Sequence, residues 1–226
     1  MRGPVFVAID VADVAAARAL VASVAPHVGG IKLGLQFFCA HGAAGVAAVM
    51  AGCDLPLFLD LKLHDIPNTV AGAVASLAPL APSILTVHAA GGAEMLAAAR
   101  AAALPATRVV AVTVLTSLDD ADLLAAGVSD GTAAQAARLA RLAQGAGLDG
   151  IVCSPHEVAA VKSVWPAGLF VVPGVRPAGS AVGDQKRVMT PPQAVAAGAS
   201  VLVIGRPITS ASDPAVAAAA IAASLA

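Results

Sequence analysis

Charge is scarce in this chain. Asp, Glu, Lys and Arg make up 12% of its 226 residues, and the formal net charge is −1. Without a run of Lys and Arg, the chain lacks the electrostatic footprint of a nucleic-acid surface. Cysteine is scarcer still. Cys39, Cys53 and Cys153 are odd in number and stand at no metal-ligand spacing. That pattern argues against a disulfide framework and for free thiols in a reducing cytoplasm. Long apolar runs are also missing, although hydrophobic residues reach 58% and mean hydropathy is +0.85. Gly, Pro or a charge interrupts each run short of the ~18 residues that a spanning helix needs. The longest run, the Ala-rich tail after Pro214, favours helix formation rather than membrane insertion. Met1-Arg2-Gly3-Pro4 leads straight into Val5-Phe6-Val7-Ala8-Ile9-Asp10 without the layout of a secretory signal. No stretch reads as a linker, and no metal constellation stands out. These absences lead us to expect a cytoplasmic protein, one domain over 1–226, with no membrane or nucleic-acid partner, no metal and no cofactor.

What is present is a repeated unit. Short β-rich runs at 5–10, 30–33, 57–63, 84–88, 109–115, 150–153, 169–173 and 201–205 alternate with Ala- and Leu-rich helical stretches. The helical stretches lie at 14–24, 36–50, 70–80, 94–103, 132–145, 156–164, 191–197 and 214–225. Near-continuous apolar strands alternating with helices imply a parallel sheet covered by helices. An open doubly wound sheet and a closed (β/α)8 TIM barrel both satisfy that pattern. Eight units in so short a chain favour closure, and the first βα turn carries no Gly-rich dinucleotide fingerprint.

The few charges are not scattered. Asp60, Lys62 and Asp65 fall within Phe58-Leu59-Asp60-Leu61-Lys62-Leu63-His64-Asp65-Ile66-Pro67-Asn68-Thr69, a segment that otherwise reads as a buried strand. Alternation puts Asp60 and Lys62 on one face, with Leu59, Leu61 and Leu63 on the other. Burying charge is costly unless it is paired, so this segment is expected to carry chemistry. In a barrel, catalytic groups sit at the C-terminal ends of strands. Those ends bear Asp10, Lys32, Asp60 with Lys62, His88, Thr116 with Ser117, Ser154, Arg176, and Gly205 with Arg206. Asp10, Lys32, Asp60, Lys62 and Asp65 form an array of alternating sign. Opposite charges at ~4 Å gain roughly 4 kcal/mol at an effective dielectric near 20, enough to keep every member ionised. A fixed ammonium beside fixed carboxylates suits stabilising and protonating a carbanion, as in decarboxylation. A Schiff base needs a neutral amine, which flanking carboxylates disfavour.

Strand 8 ends in Val203-Ile204-Gly205-Arg206-Pro207-Ile208-Thr209. Gly205 lets backbone N–H groups approach an anion, Arg206 supplies a fork of donors, and Pro207 suits the first position of a short helix. The long loop at 173–188, with Gly174, Gly179, Gly183, Arg176, Ser180 and Gln185, reads as a lid over a phosphorylated ligand. Other polar residues read as structural. His64 alternates away from Lys62, His88 fits a pocket wall or a core histidine equally, and His27, His41 and His156 read as solvent-facing. Glu94 suits the first turn of a helix, and Trp165 reads as packing.

Several of these segments resemble the orotidine 5′-phosphate decarboxylase family. Asp60-Leu61-Lys62-Leu63-His64-Asp65-Ile66-Pro67-Asn68-Thr69 is similar to its signature. So are Ala8-Ile9-Asp10, Lys32-Leu33-Gly34, Val114-Leu115-Thr116-Ser117, Pro173-Gly174-Val175-Arg176-Pro177, Gly183-Asp184-Gln185-Lys186-Arg187 and Ile204-Gly205-Arg206-Pro207-Ile208. The blocks keep family order from residue 8 to residue 208. The resemblance implies a homodimeric barrel that converts orotidine 5′-phosphate to UMP and CO2 without metal or cofactor. By position, Lys62 would protonate C6, with Asp60 and Lys32 completing the charge array. Asp10 and Lys32 would hold ribose hydroxyls, and Thr116 the base. Arg176, Gln185, Gly205 and Arg206 would bind the nucleotide, chiefly its phosphate. Asp65 and Thr69 would reach across the dimer interface into the partner's site, one helical turn apart if the segment after the strand is helical. A metal-dependent relative, 3-keto-gulonate 6-phosphate decarboxylase, shares the Asp-x-Lys-x-x-Asp core but binds Mg2+ through an acidic residue near the end of strand 2. Here that region carries Lys32.

Overall fold

In the computed structural model, which describes residues 3–177 and 189–225, eight parallel strands close on themselves. They are β1 (Val5–Ala8), β2 (Gly30–Gly34), β3 (Leu57–Leu63), β4 (Ile84–His88), β5 (Arg108–Val112), β6 (Gly150–Val152), β7 (Leu169–Val172) and β8 (Val201–Ile204). Each strand pairs with the next, and β1 pairs with β8, Val5 opposite Leu202, which completes the ring. The architecture is the expected (β/α)8 barrel, and the open sheet is excluded.

Around the barrel run α1 (Val14–Val24), α2 (Leu35–Met50), α3 (Pro67–Leu77), α4 (Gly92–Ala102), α5 (Asp120–Ala125), α6 (Gly131–Gly145), α7 (Val158–Val164), α8 (Pro191–Ala197), α9 (Arg206–Thr209) and α10 (Pro214–Ala223). Local chemistry explains their starts. Asp13 and Asp213 cap α1 and α10 by accepting the N–H groups of Ala16 at 2.8 Å and Val216 at 3.1 Å. Proline opens α3, α8 and α10, where its missing N–H would have had no helical partner. Helix α5 does not appear in the hydrophobic pattern. It exists through a reciprocal cap in which Asp119 accepts the Asp122 N–H and Asp122 accepts the Asp119 N–H.

Period-2 alternation sorts the strand residues into two layers. One set, including Val7, Ile31, Leu59, Leu85 and Val109, packs outward in a large core shared with the helices. The other set, Phe6, Phe58, Ile84, Val110, Val171 and Val201, fills the barrel interior. Phe6 and Phe58 meet edge to face at 6.4 Å, and each buried ring contributes about 1.5–3 kcal/mol. Gly30 makes room for them, since a Cβ there would stand 2.2 Å from the Phe6 ring. Above this apolar plug, the same inward phase presents Lys32, Asp60, Lys62, Thr86 and His88 toward the C-terminal mouth.

Five strands (β1, β5, β6, β7 and β8) stop one to three residues before the ends expected from sequence. Asp10, Thr116, Ser117, Ser154 and Gly205 therefore lie in the loops that follow the strands. The apolar run carries past the ladder because the mouth itself is lined by apolar residues. Among the described residues no helix is long and apolar enough to cross a membrane.

Candidate active site

The charged array forms at the mouth of the barrel. Lys62 Nζ donates to Asp60 Oδ1 at 2.8 Å, and Lys32 Nζ lies 3.4 Å from Asp60 Oδ2 and 3.5 Å from Asp10 Oδ1. Both carboxylate oxygens of Asp60 thus face an ammonium. The Lys32 side chain is only 8% exposed, against 30% for Lys62 and 56% for Asp10. The array therefore runs from a nearly dry centre to a wet rim. Register explains the convergence: Ala8 is opposite Lys32, and Gly34 is opposite Asp60, so three adjacent strands deliver their ends to one spot. A Cβ at Gly34 would stand 3.0 Å from Lys32 Nζ, so a larger residue there would press on the array.

Burial pushes the Asp60 carboxyl upward. The attraction of Lys32 and Lys62, with hydrogen bonds from Lys62 and Thr86, outweighs it and holds Asp60 below the usual carboxylate value. Asp60 is an anion throughout the neutral range.

Two adjoining hollows open beside the array and share Asp60, Pro173 and Val203. One, of about 260 Å³, is walled by Phe58, Val112, Val114, Val152 and Val171 and carries Lys62, Thr116, Ser117 and Cys153. The other, of about 530 Å³, is lined by Asp10, Lys32, Gly174, Arg176, Gly205 and Arg206. The first suits a flat, largely apolar group that presents one reacting edge to Lys62, and the second suits a polar, anionic one. Gly205 is the N-cap residue of the short helix α9, which begins at Arg206. The stem of the loop after β7 is closed by a bridge between Val175 and Met189, and the Arg176 N–H donates to the Met189 carbonyl at 2.9 Å. Gln185 and the rest of 178–188 lie outside the described residues.

Asp65 and Thr69 do not join the array. Both are exposed, and the Asp65 carboxylate accepts the N–H of Ile66 at 2.7 Å. Ile66 is the N-cap residue of α3, so Asp65 precedes the helix and only Thr69 lies on it. The conditional helical spacing between the two does not apply.

The His64 and His88 rings stack with centroids 5.3 Å apart, and the His88 Nδ1 accepts the Ala90 N–H at 3.3 Å. Burial, then His64 and Lys62, lower the His88 pKa from its ordinary value. Neither ring lines either hollow. His27 and His156 are exposed as expected, whereas His41 is half-buried against Phe37 with its Nε2 at the Ala12 carbonyl. Trp165 packs in the core, and Glu94 occupies the first turn of α4. Among the described residues no group of three or more His, Cys, Asp or Glu could hold a metal ion.

Thr86 was not singled out by any motif. It is fully buried on β4, donates its hydroxyl to Asp60 Oδ1 at 3.1 Å and accepts the Lys62 N–H at 2.9 Å. Its only sequence signal is phase, since Ile84, Thr86 and His88 alternate on the inward face.

The geometry can be set beside known proteins. A family model described as orotidine 5′-phosphate decarboxylase / HUMPS family matches residues 3–221. The orotidine 5′-phosphate decarboxylase of Novosphingobium aromaticivorans is 60% identical over 225 residues, covering 100% of each chain. That of Sphingopyxis alaskensis is 59% identical over 214 residues, 95% of each chain. The crystal structure of orotidine 5′-phosphate decarboxylase from Lactobacillus acidophilus superposes with a TM-score of 0.85 at 35% identity, covering 98% of each chain. A closed eight-stranded barrel, and full-length likeness to these enzymes in sequence and in fold, lead to one conclusion: the chain belongs to the orotidine 5′-phosphate decarboxylase / HUMPS family.

Proposed function

We propose that this chain, acting as one catalytic barrel, decarboxylates orotidine 5′-phosphate to UMP and CO2, the last step of UMP synthesis, with Lys62 as its acid. The observation that carries the reading is the Lys62 ammonium, fixed 2.8 Å from Asp60 on the wall of a hollow that continues into an arginine-lined one. The pyrimidine occupies the apolar hollow, with Thr116 at its edge. The ribose lies over Asp10 and Lys32, and the phosphate reaches Arg176, Gly205 and Arg206, joined by Gln185.

Loss of CO2 breaks the bond between C6 and the carboxylate carbon and leaves the electron pair on C6. That pair lies in the ring plane, so the π system delocalises it little. The Lys62 ammonium supplies positive charge where the pair develops and then gives its proton to C6, and the amine regains a proton from water. Because Asp60 and Lys32 already hold the ammonium in place, little reorganisation accompanies the reaction. The surrounding valines and Phe58 exclude water and strengthen the field. Contacts at the distant phosphate contribute binding energy that organises the reacting end.

The active enzyme is a cytoplasmic homodimer with shared sites. Asp65 and Thr69 are exposed rather than part of their own array, and Ile66 between them is 67% exposed, which supports a second copy covering this rim.

Mixing the protein with orotidine 5′-phosphate should abolish the orotate-ring absorbance in the presence of EDTA. The Lys62→Ala variant should abolish turnover while UMP still binds. Retained turnover in Lys62→Ala would remove Lys62 from its role.

A further inference from the structure

The backbone around Lys62 departs from regular strand geometry. Leu59 pairs with Leu85 and Leu63 with Val87, so four steps along β3 face two along β4. The irregularity is taken up at Lys62, whose φ of 50° lies in the left-handed region that a residue with a Cβ adopts at a cost of roughly 1 kcal/mol or more. At this irregularity the Lys62 N–H is taken by a side chain of β4 rather than by a strand carbonyl.

That side chain is the Thr86 hydroxyl. It accepts the Lys62 N–H at 2.9 Å, and its own hydrogen goes to Asp60 Oδ1 at 3.1 Å, the oxygen that also receives Lys62 Nζ at 2.8 Å. One fully buried hydroxyl therefore closes a ring through the lysine's backbone, its side chain and the carboxylate that aims it. A buried hydroxyl with both partners in place has a single orientation, so it fixes direction as well as distance.

We infer that Thr86 is a positioning residue for the reaction, holding the strained Lys62 backbone and the Asp60 carboxylate in their reactive arrangement through its hydroxyl. The inference rests on the reading of Lys62 as the acid. Thr86 itself touches no reacting atom. It lies on neither hollow, whose phosphate-side residues are remote from it in sequence and belong to other strands.

Thr86→Val keeps shape and volume while deleting both hydrogen bonds, and Thr86→Ser keeps the hydroxyl and loses a methyl group. For Thr86→Val, kcat should fall about 10- to 100-fold, the range for losing a hydrogen bond to a charged group. KM for orotidine 5′-phosphate should change by less than about threefold, because the phosphate contacts are untouched. Thr86→Ser should restore kcat to within about threefold of wild type. The acid limb of the kcat profile should move to higher pH in Thr86→Val, as Asp60 loses one of its donors. Wild-type kcat in Thr86→Val, or a loss in Thr86→Ser as deep as in Thr86→Val, would overturn the inference. If Thr86→Val does not fold, Thr86→Cys must show the same selective fall in kcat, since a thiol keeps the shape but bonds weakly. Failure of the wild-type protein to turn over orotidine 5′-phosphate would instead overturn the functional reading on which this rests.

Discussion

Replacing Asp60 by Asn keeps the shape of the side chain and removes the one charge that both ammoniums share. At separations of 2.8 Å from Lys62 and 3.4 Å from Lys32, each pair is worth about 6 and about 5 kcal/mol of gross attraction at an effective dielectric near 20. Desolvation offsets most of this, and the partial exposure of Lys62 weakens its pair further. What the substitution leaves behind decides the outcome. Among the described residues Lys32, nearly dry, then keeps only Asp10 as a carboxylate partner, at 3.5 Å, and its charge is under-compensated. Removing one partner of a buried pair typically costs about 3–5 kcal/mol, and the lower end applies here because Asp10 remains. A loss of about 3 kcal/mol should lower Tm by about 6–12 °C for a chain of this length. Activity should fall much further than the fraction folded, because the Lys62 ammonium loses the carboxylate that aims it. Differential scanning fluorimetry and loss of orotate absorbance, measured on the same preparation below its melting temperature, separate the two effects. An Asp60→Asn protein with wild-type Tm and wild-type kcat would refute the reasoning that the array is both a stability element and the device that holds Lys62.

Two further outcomes follow from the same geometry. Inactive Lys62→Ala and Asp65→Ala proteins, mixed and allowed to exchange subunits, should regain about a quarter of wild-type activity: about half of the dimers are mixed, and each has one intact site. No recovery on proven exchange would place Asp65 in its own site. The second concerns pH. Because the folded His88 pKa lies below its ordinary value near 6.5, the unfolded chain takes up a proton first, and stability should decline as pH falls from about 7.5 through 6.5. Asp60, lowered from 3.8, contributes nothing to that window; its stabilisation is lost only at more acidic pH, as pH falls through its folded value. His88→Asn should flatten the slope of Tm against pH between 7.5 and 5.5, and an unchanged slope would remove His88 as its source.

Within the Asp60 segment, alternation puts Asp60 and Lys62 on one face, and the two do meet at 2.8 Å, although the strand leaves regular geometry at Lys62. Legible in the same way were the eight βα units and the short helix after Gly205, because Pro207 and the glycine are local signals. Helix α5 escaped because its cap pairs two aspartates rather than following an apolar period. Asp65 was legible as a motif member but not as exposed, since helix α3 begins at Pro67, two residues after it.

Local sequence therefore determined the strand phase, the helix starts and the identity of the charges, all of which depend on neighbours a few residues apart. The tertiary structure alone decided that Lys32 and Asp60, on adjacent strands, would lie 3.4 Å apart, because closure and register set that distance. It alone decided the left-handed turn at Lys62, where β3 carries more residues than β4 can pair. And it alone brought Thr86, an ordinary strand threonine by sequence, to the hydroxyl position that joins Lys62 to Asp60, because hydrogen bonds between strands depend on which residues end up opposite each other.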